Sequence, residues 1–272
     1  MSRTSLNVVV AVKYVPDASL ERTFEPDDHT VDRVAGSGRC SELDEYAVET
    51  ALTLVAHVGA GMVTAVTIGP PTASGALKKA LQMGVDAGVH VSDEAIAGSD
   101  APATSRVLAA AITRIGADTP VDLVVCGMAS TDSAMSVLPA MLAERLGWPQ
   151  ATLAHEVVLS DADESAVTVK RDGETSTQTI TAALPAVISV TDQANQPRYP
   201  SLKSIMAARK KVVTTWSLAD IGVDPGEVGL AAAWTTVLTA TARPPRTAGR
   251  RVQDEGNGGS QLVDFLVEQR LV

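Results

Sequence analysis

Aromatic residues and cysteines are scarce in this sequence of 272 residues. Phe, Trp and Tyr make up 3% of the chain, so a core must rest on Ala, Val, Leu and Ile, and hydrophobic residues in total reach 45%. The two cysteines, Cys40 and Cys126, have the spacing of neither a disulfide framework nor a metal site. This cysteine usage fits a reducing compartment, and we expect a cytoplasmic protein.

The sequence also lacks excess positive charge, long apolar runs and the usual catalytic motifs. A formal net charge of −10 is repelled by phosphate backbones, so we expect no nucleic-acid binding. The apolar run at 8–12 is too short to cross a bilayer, so we expect no direct membrane insertion. G-x-S-x-G, H-E-x-x-H, C-x-x-C and Walker A patterns are missing, no G-x-G-x-x-G follows the first predicted strand, and the four histidines are isolated. We therefore expect neither catalytic residues nor a metal site.

Hydrophobic patterning divides the first two-thirds of the chain into alternating strands and helices. Apolar runs predict strands at 7–12, 62–68, 87–91 and 121–126, with helical spacing between them. This alternation predicts an α/β fold with a doubly wound, mainly parallel sheet. Ligands of such sheets bind at the carboxyl ends of the strands, so functional residues should follow Val12, Ile68 and Cys126.

The pattern changes after residue 150. Strand-like segments at 151–159, 166–171 and 175–182 predict an antiparallel addition to the sheet, and residues 186–190 predict one more buried strand. A turn is predicted at 161–163.

Residues 212–250 have weak periodicity and contain Pro225, Pro244 and Pro245. A long stretch of this kind is unusual inside a compact domain, so we interpret it as an arm that packs on something else. Ser260 is expected to cap a last helix. We therefore divide the chain into an α/β domain, 1–211, and a C-terminal arm, 212–272.

A small, polar loop, Gly127 to Ser133, follows the fourth predicted strand, and a helix with Pro139 in its first turn comes soon after. Small residues before a helix let backbone N–H groups approach a phosphate, which the helix dipole favours. Ser, Thr and Asp are also good helix caps, so both a phosphate site and an ordinary capped turn fit these residues.

The segment that follows Val190 carries apolar residues among loop residues: Tyr199, Leu202, Ile205 and Met206. An exposed apolar anchor on a loop indicates a partner-binding site. The spacing equally permits all four side chains to pack down on the sheet.

The sequence resembles the beta subunit of electron-transferring flavoproteins, the FixA-type family. The resemblance is carried most strongly by L-P-A-V-I-S-V at 184–190 and by N-x-P-R-Y-P-S-L-x-x-I-M-A-A-x-K-K at 195–211. It runs essentially end to end, with further matching segments at 10–17, 45–49, 80–86, 146–150 and 246–249.

The resemblance implies a nucleotide-binding domain of the adenine-nucleotide hydrolase-like (Rossmann-like) type in a heterodimer with an alpha subunit. The alpha subunit would hold most contacts to one redox-active FAD, and the beta subunit would bury a structural AMP and extend its arm onto the alpha subunit. Acyl-CoA and related dehydrogenases would donate electrons, and a membrane quinone oxidoreductase would accept them. The flavin would do the redox work, so the chain itself would be an electron-carrier subunit and not an enzyme.

The resemblance also assigns residues to each role. The AMP contacts fall by position on Ala11, Ser41, Leu43, Asp44, Ile68, Gly127, Ser130, Thr131, Asp132, Ser133, Ser136, Val137 and Leu138. The partner-recognition loop falls on 191–206, with the docking leucine at Leu202 and with Arg198, Tyr199, Ile205 and Met206 beside it.

Two segments depart from the family pattern. Ser41-Glu42-Leu43 stands where many members have Asn-Pro-Phe, and Ser136 to Pro139 stands where many have Asn-Gln-Thr-Gly. The Thr-Ala-Gln-Val-Gly-Pro pattern of relatives with a second FAD is also missing, which favours AMP or an empty site. Two other classes share the broad fold: a stand-alone nucleotide-binding protein of the universal-stress type, and an ATP-pyrophosphatase. The second would need a Ser-Gly-Gly-type loop where this chain has residues 13–17.

Overall fold

The computed structural model describes residues 4–20, 22–33, 38–160, 165–241, 243–245, 249 and 251–272. The chain forms two compact units that divide between Leu238 and Thr239. The predicted turn at 161–163 and the family-matching residues 246–248 lie outside the described residues.

Within the described residues there are twelve strands and seven α-helices. The strands are β1 (Leu6–Ala11), β2 (Tyr14–Pro16), β3 (Gly38–Cys40), β4 (Gly61–Ile68), β5 (Ala87–Val91), β6 (Leu123–Gly127), β7 (Gln150–Ala154), β8 (Glu156–Leu159), β9 (Ala166–Asp172), β10 (Thr177–Ala183), β11 (Ala186–Val190) and β12 (Val213–Trp216). The helices are α1 (Glu42–Val58), α2 (Ser74–Met83), α3 (Ala101–Ile115), α4 (Leu138–Leu146), α5 (Leu202–Ala208), α6 (Gly229–Ala232) and α7 (Gly258–Glu268). Among these helices there is no stretch both long and apolar enough to cross a bilayer.

Seven strands form one parallel sheet in the order β12-β5-β4-β1-β6-β11-β7. Every residue of β6 and β11 is buried, as expected for apolar runs in a sheet covered on both faces. Helices α1 and α2 contribute to one apolar cluster with the sheet, and α3 and α4 contribute to the other. The predicted α/β fold with a doubly wound, parallel sheet is confirmed.

The sheet grows in two directions from β1. This strand pairs with β4 on one side and with β6 on the other. The chain first extends the sheet through β4 and β5 and then crosses over to β6, next to β1. A reversal of this kind opens a crevice at the carboxyl ends of the two central strands. The loops after Ala11 and Gly127 therefore flank one crevice.

The predicted strand 151–159 is two strands. β7 joins the parallel sheet beside β11, while β8 pairs with β9 in a separate antiparallel sheet of order β10-β9-β8. Leu153 lies at the break with a left-handed φ of 62°, and the register between β7 and β11 shifts there. The antiparallel addition is therefore present as a sheet of its own, because the backbone turns at Leu153.

The first part of the predicted arm packs on the sheet. Val213–Trp216 pairs with β5 as an edge strand, and Leu218, Val223 and Val228 are buried beside α3. Periodicity missed this segment because it consists of a four-residue strand and short 3-10 turns. The separate unit begins only at Thr239. Packing of residues 239–272 on another chain stays a prediction.

Helix α7 is the helix of the second unit. It begins at Gly258 after Asn257, and Ser260 lies inside it, so the prediction that Ser260 caps the helix is wrong. Leu262, Val263 and Val267 are each more than half exposed. The helix therefore presents apolar surface.

The connection from β11 to β12 passes across one helix layer. β11 lies next to one edge of the sheet and β12 forms the opposite edge. Between them, α5 packs against α2, and the side-chain amide of Asn195 donates to the carbonyl of Tyr46 on α1 at 3.0 Å. Residues 191–212 thus lie over the α1/α2 layer.

Candidate functional site

The predicted nucleotide-binding residues lie at the carboxyl edge of the parallel sheet. Ala11, Ile68 and Gly127 end the three neighbouring strands β1, β4 and β6. Ser41 directly precedes α1, and residues 128–137 connect β6 to α4. We call this arrangement the strand-end site. The structure therefore brings together residues that lie far apart in the sequence.

The first turn of α1 packs tightly against the end of β6. A Cβ atom on Gly127 would lie 2.6 Å from Oδ1 of Asp44 and 2.8 Å from the carbonyl oxygen of Leu43, so only glycine fits without a shift. Ser41 is fully buried, and its Oγ accepts a hydrogen bond from the N–H of Thr131 at 3.3 Å. α1 thereby holds the loop after β6.

Asp44 joins the same turn to the loop after β1. Its Oδ2 accepts a hydrogen bond from the backbone N–H of Lys13 at 2.8 Å. Burial raises the pKa of Asp44 to about 7, because the N–H and the charge of Lys13 offset only part of the desolvation of the carboxylate. This carboxyl therefore changes its charge near neutral pH.

Asp132 is the centre of a network of charged and polar groups. Its buried carboxylate lies 2.7 Å from Nζ of Lys13 and 2.7 Å from Nη2 of Arg33, which also donates through Nε at 3.1 Å. The hydroxyl of Ser130 and the backbone N–H of Ser133 donate to the same carboxylate, each at 2.7 Å. We call these five residues the Asp132 cluster.

Burial alone would raise the pKa of Asp132, but the cations outweigh it. The charge and hydrogen bond of Lys13 act most strongly, followed by the hydroxyl of Ser130 and the charge of Arg33, and together they hold the pKa well below its ordinary value. The pKa of Lys13 is itself lowered, because burial and the neighbouring Arg33 outweigh the attraction of Asp132. Asp132 is thus ionised at neutral pH.

Arg22 adds a further positive charge to the site. It donates to the carbonyl oxygen of Asp132 at 2.9 Å and to that of Thr131. Lys13, Arg22 and Arg33 therefore surround a single strongly ionised carboxylate. Sequence reasoning missed all three, because Arg22 and Arg33 lie 110 and 99 residues from Asp132. The signal available for Lys13 was its position directly after the first strand.

The backbone before α4 leaves donors without acceptors. Ala134 and Ser136 have left-handed φ values of 50° and 57°, which place non-glycine residues in a strained conformation. Among the described residues, no atom accepts from the N–H groups of Ser136, Val137 and Leu138. No side chain caps α4, so an ordinary capped turn does not account for this loop. Free N–H groups at a helix start suit an anion such as a phosphate.

The predicted partner-recognition loop, residues 191–206, exposes most of its large apolar side chains. We call it the partner loop. Tyr199, Leu202 and Met206 have 94%, 83% and 58% of their surface accessible, and Ile205 is half-buried. The alternative, in which these side chains pack down on the sheet, is therefore wrong for the first three. Arg198 differs from them, because its guanidinium pairs with Glu49 of α1 at 2.8 Å.

Comparison with known proteins identifies the family. The family described as "Electron transfer flavoprotein domain" matches residues 28–221 of this chain. A protein of Mycobacterium tuberculosis named electron transfer flavoprotein subunit beta is 44% identical over 270 residues, which cover 98% of this chain and 99% of that protein. The chain belongs to the beta-subunit family of electron transfer flavoproteins.

Other members of the electron transfer flavoprotein family match over most of their length. Protein FixA of Azotobacter vinelandii is 33% identical over 243 residues, covering 89% of this chain and 86% of that protein. The caffeyl-CoA reductase-Etf complex subunit CarD of Acetobacterium woodii is 31% identical over 269 residues, covering 98% and 100%. The resemblance to the FixA-type family is confirmed.

Proposed function

We propose that this chain is the beta subunit of a heterodimeric electron transfer flavoprotein and acts as an electron carrier without substrate chemistry of its own. The observation that carries the proposal is that a member of this family exposes two sets of large apolar side chains, Tyr199, Leu202 and Met206 in one and Trp234 and Leu238 in the other. Monomeric proteins rarely expose such side chains together unless a partner covers them. An alpha subunit would hold most contacts to one FAD, which supplies the electron-carrying chemistry when bound.

The strand-end site fits the phosphate of a structural AMP. The N–H groups of Ser136, Val137 and Leu138 are available, and Lys13 and Arg33 bring positive charge to Asp132 in the same loop. Side-chain contacts of the Asn-Gln-Thr-Gly type have no counterpart, because Val137 and Leu138 are apolar. Backbone donors therefore carry the binding, as they do in many phosphate sites.

The surroundings of the partner loop favour a partner with acidic groups around an apolar pocket. Lys203 next to Leu202, and Arg209 and Lys210 after α5, are exposed, although the whole chain has a net charge of −10. Leu202 would fill the pocket, and the basic residues would steer the encounter. We propose acyl-CoA and related dehydrogenases as donors and a quinone oxidoreductase as acceptor. The name of the relative CarD, which describes a caffeyl-CoA reductase-Etf complex, supports a partner that acts on a CoA ester.

Two features weigh against a stand-alone nucleotide-binding protein. Trp234 and Leu238 are 88% and 83% exposed at the end of the first unit. Residues 239–272 form a separate unit whose helix α7 exposes further apolar side chains. We propose that the alpha subunit covers these surfaces.

Co-expression with the alpha subunit tests the proposal. We expect a yellow heterodimer with about one FAD, because one subunit pair forms one flavin site. The beta subunit alone should be nearly colourless and poorly stable. Denaturing the purified heterodimer and separating the released nucleotides by chromatography should yield FAD and AMP in similar amounts. A stable monomer that binds no alpha subunit would overturn the main proposal, and two FAD without AMP would overturn the AMP assignment alone.

A further inference from the structure

A single carboxylate of the α1/α2 layer fixes the backbone of the partner loop. Glu49 of α1 accepts from Nε of Arg198 at 2.8 Å and from Nη2 at 2.9 Å. It also accepts from the backbone N–H of Arg198 at 3.0 Å. Three donors of one loop residue therefore converge on one side chain outside the loop, four positions before Leu202.

The Glu49–Arg198 pair differs from an ordinary surface ion pair. The side chain of Glu49 is only 12% exposed, and its two oxygens face the fork of the guanidinium. Burial would raise the pKa of Glu49, but the hydrogen bonds and charge of Arg198 lower it overall. The same pairing raises the pKa of Arg198. Bidentate, charge-assisted bonds of this kind fix orientation as well as distance.

Two more contacts fix the loop on either side of this pair. The amide of Asn195 donates to the carbonyl of Tyr46 at 3.0 Å and to Oγ1 of Thr50 at 2.9 Å, both on α1. The ammonium of Lys211 donates to the carbonyls of Gly84 at 2.8 Å and Val85 at 2.6 Å, where α2 ends. The loop is therefore anchored before and after the residues that it exposes.

The position of Leu202 follows from these anchors. Ser201 caps α5 by accepting from the N–H of Ser204 at 3.1 Å, so Leu202 is the first residue of a short helix. A loop that was free to move would turn this leucine toward apolar surface, since exposure of a large apolar side chain is unfavourable in water. Here Leu202 keeps 83% of its surface accessible.

We propose that Glu49 is a positioning residue for partner docking: through Arg198 it holds the loop in the shape that presents Leu202. The inference rests on the proposed function, in which Leu202 enters a pocket of an acyl-CoA dehydrogenase. Because the loop is already ordered in the free subunit, docking does not have to restrict its backbone and side chains, and the complex forms more tightly. The side chain of Glu49 is mostly buried under Arg198, so its effect on docking would pass through the loop.

A double-mutant cycle tests the proposal on the purified, FAD-loaded heterodimer. The variants are Glu49→Gln, Leu202→Ala and the double variant, with a purified medium-chain acyl-CoA dehydrogenase and its substrate as electron donor. We expect Glu49→Gln to raise the KM for the heterodimer about fivefold with little change in kcat, as loss of preorganisation predicts. In the Leu202→Ala background the same substitution should have almost no further effect, because the anchor that it positions is gone.

Hydrogen exchange gives a readout that does not depend on electron transfer. Backbone amides of residues 198–206 should exchange faster in Glu49→Gln than in the wild-type heterodimer, with the rest of α1 unchanged. Arg198→Lys keeps the charge but loses the fork, so it should show the same two effects. Glu227→Gln is the control, since it breaks an exposed ion pair with Arg106 of α3 in the opposite helix layer.

The outcomes separate the two proposals. A wild-type heterodimer that takes no electrons from the dehydrogenase overturns the proposed function and this inference with it. If Leu202→Ala raises KM while Glu49→Gln leaves both KM and loop exchange unchanged, the inference alone is overturned. It is also overturned if the two substitutions act additively, because Glu49 would then support the fold and not the presentation of Leu202.

Discussion

The strand-end site and the partner loop are built in opposite ways. In the first, charged side chains from distant parts of the chain converge on the buried carboxylate of Asp132. In the partner loop, apolar side chains from one continuous stretch are exposed to solvent, and hydrogen bonds between Arg198 and Glu49 fix the backbone beneath them. The strand-end site depends on charge compensation in the interior. The partner loop depends on preorganisation of a surface.

The two regions also differ in how far they keep the family pattern. By the resemblance, residues 195–211 match that pattern, whereas Ser41 to Leu43 and Ser136 to Pro139 depart from it. A backbone phosphate site tolerates such changes, because N–H groups do not depend on the side chain. A docking surface does not, because its shape is the side chains themselves. Three substitutions test this contrast.

Asp132→Asn should have the largest effect and act on stability. Asn keeps the shape of the side chain but leaves Lys13 and Arg33 without their counter-charge. We expect a loss of about 3 kcal/mol in the free energy of unfolding at pH 7, the lower end for a broken buried pair, since both cations remain partly exposed. Urea denaturation measures it, and Asp118→Asn, the same change at an exposed residue, serves as the control. An unchanged midpoint would show that the cluster does not hold the site together.

The carboxylate of Asp132 also makes the free energy of unfolding depend on pH in acid. The folded-state pKa of Asp132 lies below its ordinary value of 3.8, so the ionised form stabilises the folded state at pH above 3.8. This contribution is lost as the pH falls further. The difference between wild type and Asp132→Asn should therefore shrink in acid.

Leu202→Ala should act on docking and leave the fold intact. Removing an exposed side chain costs little stability, but loss of the central anchor should raise the KM for a dehydrogenase about tenfold. FAD content and the melting temperature should stay at wild-type values. Val158→Ala on β8, where the valine is 47% exposed, is a matched control that should change nothing. Equal KM values for Leu202→Ala and wild type with several dehydrogenases would remove Leu202 from the interface.

Asp44→Asn should have the smallest effect in acid, where Asp44 is protonated in the folded and unfolded states, and its effect grows as the pH rises. The pKa of Asp44 is raised from 3.8 to about 7, so the folded state binds this proton more tightly than the unfolded state does. Its contribution to stability is therefore fully present below pH 3.8 and is lost as the pH rises to about 7. Asn cannot ionise and can still accept from the N–H of Lys13, so at pH 8 the variant should have a higher urea midpoint than the wild type, and the difference should disappear in acid. Equal pH profiles of the urea midpoint would contradict the raised pKa.

Much of the fold could be predicted because its signals are local. The apolar runs of β1, β4, β5 and β6 appear directly in the sequence, and their alternation with helices implies a parallel sheet. The break at Leu153 could not be predicted, because it depends on a left-handed backbone at a residue that rarely adopts it. β12 was missed because four residues carry too little periodicity.

The position of the candidate site could be predicted from the sequence, but the charged residues that meet there could not. Residues after β1, β4 and β6 were expected at one edge, and they lie there. The partners of Asp132 are at least 99 residues away from it, apart from Ser130 and Ser133, and no spacing rule connects such positions. Exposure of Leu202 was also undecidable from spacing, since a pattern of apolar residues does not say which surface covers them.

The course of the chain from β11 to β12 sets the permitted length of the partner loop. Five strand spacings separate these two strands, roughly 24 Å at about 4.8 Å each. Most surface loops gain or lose residues freely, but this one must reach from one side of the sheet to its far edge along a fixed route. The contacts of Asn195, Arg198 and Lys211 with α1 and α2 fix this route, so a deletion between them would break at least one of these contacts. We therefore expect this loop to tolerate insertions and deletions less well than an ordinary surface loop.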